Sequence, residues 1–218
     1  ALLAYDTDFI EESISSFVGM VDEMLVGLDE NRETWSGKRY ELPSEIVPKL
    51  LAISDKVRII EDLFYVPGLS PLENDTRERN VLSSHSVDSD WFVSFDSDEV
   101  LINIDAFKDF LLTRCPANSC VMGRGINVYK ELADSYLVVG KNGQVDLCPM
   151  PLATDVPEAF ISARYTRQTR VMSPAIVLHF TWARSEQELR KKFANWGHRD
   201  DFDTNEHLQL WAEANEGT

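Results

Sequence analysis

Long apolar runs are missing from this 218-residue sequence. None approaches the ~20 residues that a membrane-spanning helix needs, and no signal-peptide pattern is visible. Cysteine is scarce: Cys115, Cys120 and Cys148 form neither a paired framework nor a zinc spacing, which predicts reduced thiols in a cytoplasmic protein. Positive charge is short too, with 21 Lys and Arg against 37 Asp and Glu and a formal net charge of −16. That balance argues against nucleic acid and anionic membrane surfaces as main partners. An anionic substrate would need a metal and a few local cations to offset the field. Repeats and low-complexity segments are also lacking, and 44% hydrophobic with 27% charged residues is the composition of an ordinary globular chain. The length suits one sizeable α/β domain or two small ones.

What the sequence does have is Asp90-Trp91-Phe92-Val93-Ser94-Phe95-Asp96-Ser97-Asp98-Glu99-Val100-Leu101-Ile102. An apolar run from Trp91 to Phe95 stops abruptly at acids, the pattern of a buried strand that delivers carboxylates to its C-terminal edge. Ligands bind at that edge in open α/β sheets. Carboxylates at i and i+2, here Asp96 and Asp98, can share one hard divalent cation, Mn²⁺ or Mg²⁺. An isolated Asp-x-Asp is also an ordinary acidic turn, so its surroundings decide.

Those surroundings alternate strands with helices. Ala1 to Tyr5 reads as a strand, and Asp6-Thr7-Asp8 offers caps for a helix carrying Phe9, Ile10, Ile14, Phe17 and Val18. Val21 to Asp29 reads as a second strand, Pro43 to Ile53 as a helix, Lys56 to Asp62 as a third strand, and Pro71 to His85 as a helix. This order predicts right-handed β-α-β crossovers and a mainly parallel sheet with helices on both faces. Beyond Asp105 to Leu112, helical again, come short strands at Val121 to Tyr129, Tyr136 to Val139 and Gln144 to Leu147, with a hairpin turn at Gly140-Lys141-Asn142-Gly143. Pro149 to Pro157 reads as an irregular loop, Val171 to Trp182 as a strand, and Ser185-Glu186-Gln187-Glu188 as the capping box of a last helix.

In this order and spacing the fragments resemble the GT-A fold of nucleotide-sugar glycosyltransferases, especially family 2. They are Asp8 to Ser13, Val21 to Asp29, Arg79-Asn80, the Asp90 to Glu99 motif, His179 to Ser185, Lys191-Lys192 and Trp196-Gly197-His198. The resemblance implies one domain, with residues 1–103 as the nucleotide-sugar half and 104–218 as the acceptor-side half, which holds a smaller antiparallel part. It further implies a metal-dependent sugar transfer from a nucleoside diphosphate sugar, a UDP-sugar by preference, to a glycan hydroxyl. The chain's length predicts a catalytic part of a larger protein.

Residue by residue, the resemblance places the metal on Asp98 and His179, with Asp96 on the metal or on the ribose. His179 lies in an apolar run where a core histidine is the plain alternative. Tyr5 and Asp6 would contact the base, with Tyr5 equally readable as a core aromatic. Asp29 would accept from base or ribose, or would simply form a turn. Arg77 and Arg79 would bring positive charge to the nucleotide, or lie on a solvated helix face beside Glu73, Asp75 and Glu78. Lys192 and His198 would cover the diphosphate or be plain surface charge, and Lys191 reads as surface charge. Trp182 and Trp196 would stack an acceptor sugar or pack in the core. An inverting transfer needs a carboxylate base, for which Asp134, Asp155, Glu158 and Glu99 are the candidates; a retaining one needs none. Two other classes fit parts of the pattern. A haloacid-dehalogenase-like phosphohydrolase would use Asp96 and Asp98, with Asp200-Asp201 as later metal acids. A non-catalytic sugar- or metal-binding domain would need no base at all.

Overall fold

The computed structural model describes residues 2–3, 6–195 and 203–215. The chain begins with β1 (Leu2–Leu3), α1 (Ile10–Val18), β2 (Met24–Asp29), α2 (Ile46–Ile53), β3 (Val57–Asp62) and α3 (Pro71–Ser84). β1, β2 and β3 pair in parallel in that order. α1 forms where apolar residues recur at helical spacing, and Ile10, Ile14 and Phe17 are fully buried by it. Its N-cap is Phe9 with no side-chain bond, so Asp6 and Asp8 are left for other work. α3 opens on a reciprocal capping box of Ser70 and Glu73 with Pro71 in its first turn.

The chain continues through β4 (Phe92–Val93), β5 (Glu99–Leu101), α4 (Ile104–Thr113), β6 (Ser119–Glu131), β7 (Tyr136–Val138), β8 (Gly140–Lys141), β9 (Gln144–Val145) and β10 (Cys148–Thr154). Next come β11 (Phe160–Ser162), β12 (Tyr165–Thr166), β13 (Thr169–His179), α5 (Glu186–Asn195) and α6 (Thr204–Glu213). A six-stranded sheet runs β4-β10-β6-β13-β5, with β7 beside β6. The molecule is thus mixed α/β, but the mainly parallel sheet expected from the sequence is not what forms. In the six-stranded sheet only β6 and β13 are parallel; the other pairs are antiparallel. Parallel neighbours need long crossovers, usually helical, and residues 114–185 supply strands and turns without a helix.

The Pro149 to Pro157 stretch, expected as a loop, is in large part β10, hydrogen-bonded to both β6 and β4. Two prolines are tolerated there because β4 pairs only with Ala153 and Thr154, beyond both Pro149 and Pro151. The ladder bulges between Pro151 and Ala153. The central strand read at Trp91 to Phe95 shrinks to two residues.

One core runs through both halves of the chain. Ile10, Ile14 and Phe17 pack with Val26 and Leu28, and equally with Phe95, Leu101, Val121, Leu152 and Val177. Phe17 and Phe95 stack face to face with centroids 3.9 Å apart. The cysteines are free thiols. No helix among the described residues is long and apolar enough to cross a membrane.

Asp29 ties the exits of β2 and β3 together. Its Oδ1 accepts from the backbone N–H groups of Asn31 and Glu33, and its Oδ2 from those of Phe64 and Tyr65, all at 2.9–3.0 Å. With 1% exposure, that carboxylate has no face left for a nucleotide base, and the structure assigns it the turn-forming role. Asp29→Ala strips four backbone donors, the buried Phe64 N–H among them, of their acceptor and is expected to cost about 2–4 kcal/mol in urea unfolding. A loss below about 1 kcal/mol would show that the two loops hold without it.

Candidate functional site

After Val93 the chain turns through Ser94, Phe95, Asp96, Ser97 and Asp98 before re-entering a strand at Glu99. Packing fixes this turn. Phe95 is driven into the core against Phe17, while the Ser13 hydroxyl donates to the Asp96 carbonyl and the Leu101 N–H donates to the Ser16 hydroxyl, each at 3.0 Å. β5 then pairs with the end of β13 in the register His179↔Glu99, and the Phe180 N–H donates to the Asp98 carbonyl at 2.8 Å. Register therefore carries His179 to the turn. Asp96, Asp98 and His179 each offer a ligand atom, all within 4.8 Å of one another. His179 Nε2 lies 3.4 Å from Asp98 Oδ1. Two carboxylate oxygens and an imidazole nitrogen are a donor set that Mn²⁺ accepts readily, and Mg²⁺ through its oxygens.

Cations surround the acids. Arg79 donates from Nη2 to Asp96 Oδ1 at 2.7 Å, from Nη1 to Ser94 Oγ at 2.7 Å and from Nε to Asp75 Oδ1 at 2.6 Å. Arg164 grips Glu99 with both Nη atoms at 2.7 Å and stands 3.7 Å from Asp96 Oδ2. Arg184 reaches Asp6 at 2.8 Å, Asp8 at 2.6 Å and Asp98 Oδ2 at 3.0 Å. Lys192 Nζ donates to the same Asp98 oxygen at 2.6 Å. The Glu99 carboxylate also accepts from the Asp96 N–H at 3.0 Å, which pins the turn to β5.

These partners decide the ionisation. Burial alone would raise the pKa of Asp96, but Arg164 and then Arg79 overcome it and hold the carboxyl well below its usual range. Burial opposes ionisation of Asp98 too, and Lys192, His179 and Arg184 reverse it. For His179, burial disfavours the charged ring while Asp98 raises its pKa above the ordinary value. Asp8 moves the other way: burial and Asp6 raise its pKa against the pull of Arg184.

Several expected positions fall elsewhere. Tyr5, Trp196, His198 and Asp200-Asp201 lie outside the described residues. Asp6 is at the site, but bound to Arg184. Arg77 is not at the turn; its guanidinium donates to the Leu63 and Phe64 carbonyls and holds the loop after β3. Arg79 is no solvated surface residue: with Asp75 and Glu78 it forms a buried polar face of α3. Its donors serve Asp96 and leave the nucleotide role unsupported. Asp155 accepts from the Asn118 and Ser119 N–H groups at the start of β6. Ser119 is eight residues along that strand from Asn127, the partner of His179, or about 26 Å. Glu158 sits against α3, its N–H donating to Ser83 Oγ at 2.9 Å. Glu99 is clamped by Arg164, and Asp134 is exposed in the β6–β7 turn. Trp182 packs against Phe193 and His207, with centroids at 5.6 Å and 4.4 Å, as a core aromatic would.

Spacing singled out neither Arg164 nor Arg184 for a role. Arg164 belongs to the unforeseen β11–β12 hairpin, so no periodic run could place it. Arg184 offered one signal, a cation just past an apolar strand in a strongly acidic chain. Comparison of the chain with protein-family models finds no match, and comparison with curated proteins finds none either.

Next to Arg79, Glu78 receives no guanidinium. It is 2% exposed, accepts from Trp35 Nε1 at 2.6 Å, and lies close against Gly27, where a Cβ would stand a tight 3.2 Å from Glu78 Oε1. Burial pushes its pKa from 4.5 up to about 8. The folded protein keeps this proton after the unfolded chain has lost it. Its contribution is therefore full below pH 4.5 and disappears as pH rises through about 8. Glu78→Gln is expected to flatten the stability profile in that window, where wild type loses up to about 1.4 kcal/mol per pH unit. Parallel profiles for the two proteins in urea unfolding would mean that Glu78 is ionised throughout.

Proposed function

We propose that the chain is a glycosyltransferase of GT-A type that moves a sugar from a nucleoside diphosphate sugar, by preference a UDP-sugar, to a hydroxyl of a glycan acceptor. The convergence of Asp96, Asp98 and His179 at one turn, ringed by four cationic side chains in a chain of net charge −16, is the observation that carries this reading. It also supports a divalent metal held by those three residues. When bound, the metal supplies Lewis-acid stabilisation of the diphosphate as it departs.

The chain's own groups do the positioning. Arg79 and Arg164 keep Asp96 ionised and aimed, and Glu99 fixes Arg164. Arg184 and Lys192, on the opposite flank, keep Asp98 ionised while presenting positive charge where an anionic leaving group would lie. The parallel β1–β2–β3 sheet is consistent with a nucleotide-binding half, while β4 and β5, on either side of the Asp96–Asp98 turn, lie in the mostly antiparallel sheet with β6, β10 and β13.

A second reading draws on a particular observation. Glu99, Asp155 and Glu158, weighed as the base of an inverting transfer, are respectively clamped, distant, and placed along α3. A domain that binds the donor without turning it over would look the same. The phosphohydrolase reading is weaker, because both oxygens of its would-be nucleophile Asp96 face guanidinium groups.

Calorimetric titration with UDP, with and without Mn²⁺, tests the proposal. Wild type is expected to bind UDP in a Mn²⁺-dependent manner, and folded Asp98→Ala to lose that dependence. His179→Ala should weaken Mn²⁺ by about 10-fold or more. Retained metal-dependent UDP binding in Asp98→Ala would sink the assignment. Release of UDP from a UDP-sugar by wild type separates the enzyme from the binding domain.

A further inference from the structure

Asp98 carries a conflict within it. Its Oδ1 faces His179 Nε2, and its Oδ2 accepts from Lys192 Nζ at 2.6 Å and Arg184 Nη2 at 3.0 Å. A divalent ion held by Asp96, Asp98 and His179 would share this one carboxylate with an ammonium group already in hydrogen-bond contact. Like charges so close, among groups so little exposed, repel strongly.

The two cations on Oδ2 are not equally placed to yield. Arg184 is anchored independently: it binds Asp6 and Asp8, and its guanidinium lies 5.2 Å from the Phe9 ring centroid. Its side chain is 2% exposed. Lys192 reaches Asp98 at 2.6 Å and Asp6 only at 4.0 Å. Its ammonium sits on a flexible four-carbon stem, while Leu189 and Phe193 on the same helix are buried and fix the backbone beneath it. The stem can swing while α5 stays docked.

We propose that Lys192 and the divalent metal compete for Asp98, so that Lys192 keeps metal affinity low until a phosphate-bearing ligand accepts its ammonium group. This rests on the metal-site reading above. The ammonium turned away from Asp98 finds a new partner in the oxygens of a diphosphate at the metal. Metal and diphosphate therefore bind cooperatively, and by linkage each raises the affinity of the other by the same factor. Lys192 is a positioning residue whose contribution is read in binding rather than in turnover.

The experiment measures Mn²⁺ affinity by the electron-paramagnetic signal of free Mn²⁺, in wild type, Lys192→Met and Asp98→Asn, each checked for folding by circular dichroism. Lys192→Gln is made in parallel should the methionine variant fold poorly. Without nucleotide, the Lys192 variants are expected to bind Mn²⁺ at least 10-fold more tightly than wild type, and Mn²⁺ should raise their melting temperature more. UDP should then tighten Mn²⁺ binding in wild type much more than in the Lys192 variants. Equal or weaker Mn²⁺ affinity in a folded Lys192 variant, with wild type still binding through Asp98, overturns the competition and leaves the metal site standing. Absence of Mn²⁺ binding both in wild type with UDP present and in the folded Lys192 variants overturns the metal site, and the competition with it.

Discussion

Asp98 has to remain ionised with 4% of its surface in contact with water, and much of the structure around it answers that demand. A carboxylate so deep is stable only if its charge is met and its oxygens are hydrogen-bonded. Asp98 has three such partners, Asp96 two, and Glu99, fully buried, a two-pronged guanidinium. Removing Arg164 would leave the fully buried Glu99 without a charged partner, whereas Asp98 and Asp96 each keep at least one after the loss of a single cation. Such networks are therefore stiff, and they hold the Asp96–Asp98 turn in one shape.

The partners come from opposite ends of the chain. Asp6, Asp8, Asp75, Asp96, Asp98 and Glu99 all lie before residue 100, whereas Arg164, His179, Arg184 and Lys192 all lie after residue 160. Arg79 is the exception, and it works within the acidic half. Each half alone would carry an uncompensated cluster of one sign. Packing of the two around a shared core is thus the same event as assembly of the site, because Phe17, Phe95 and Val177 belong to that core while Asp96 and His179 are a residue or two away from it.

Legibility in the sequence followed periodicity. The first three β-α units were readable because Ile10, Ile14 and Phe17, or Met24 to Leu28, declare their element by spacing alone. The turn at Asp96 and Asp98 was readable because apolar residues stop abruptly at acids. His179 was placed there by resemblance; what puts it there physically is the β5–β13 register, a long-range pairing that no local pattern encodes. β10 was hidden by Pro149 and Pro151, whose local preference is overruled by the free side of the strand. Asp29 looked like chemistry as an acid at a strand exit, and Asp155 as an acid in a Pro-rich loop. Their oxygens instead satisfy backbone donors that would otherwise be buried without partners.

The allotment of one guanidinium contributes to the contrast between Glu78 of α3 and Asp96 of the turn. The Arg79 donors go to Asp75, Ser94 and Asp96, a fan that spans the helix and the turn. Glu78, one residue earlier, looks toward Gly27, Phe64 and Leu82, and its charged partner is too busy to reach it. With Trp35 as its hydrogen-bond donor, it settles the matter by keeping its proton, and its pKa rises to about 8. Asp96, facing two guanidinium groups, gives its proton up and stays anionic across the working pH range. The half-buried acid on the turn, faced by two guanidinium groups, is thus kept charged, and the buried acid that receives none is kept neutral. Had the fan pointed the other way, Asp96 would have kept only Arg164, 3.7 Å from its Oδ2, to hold its charge.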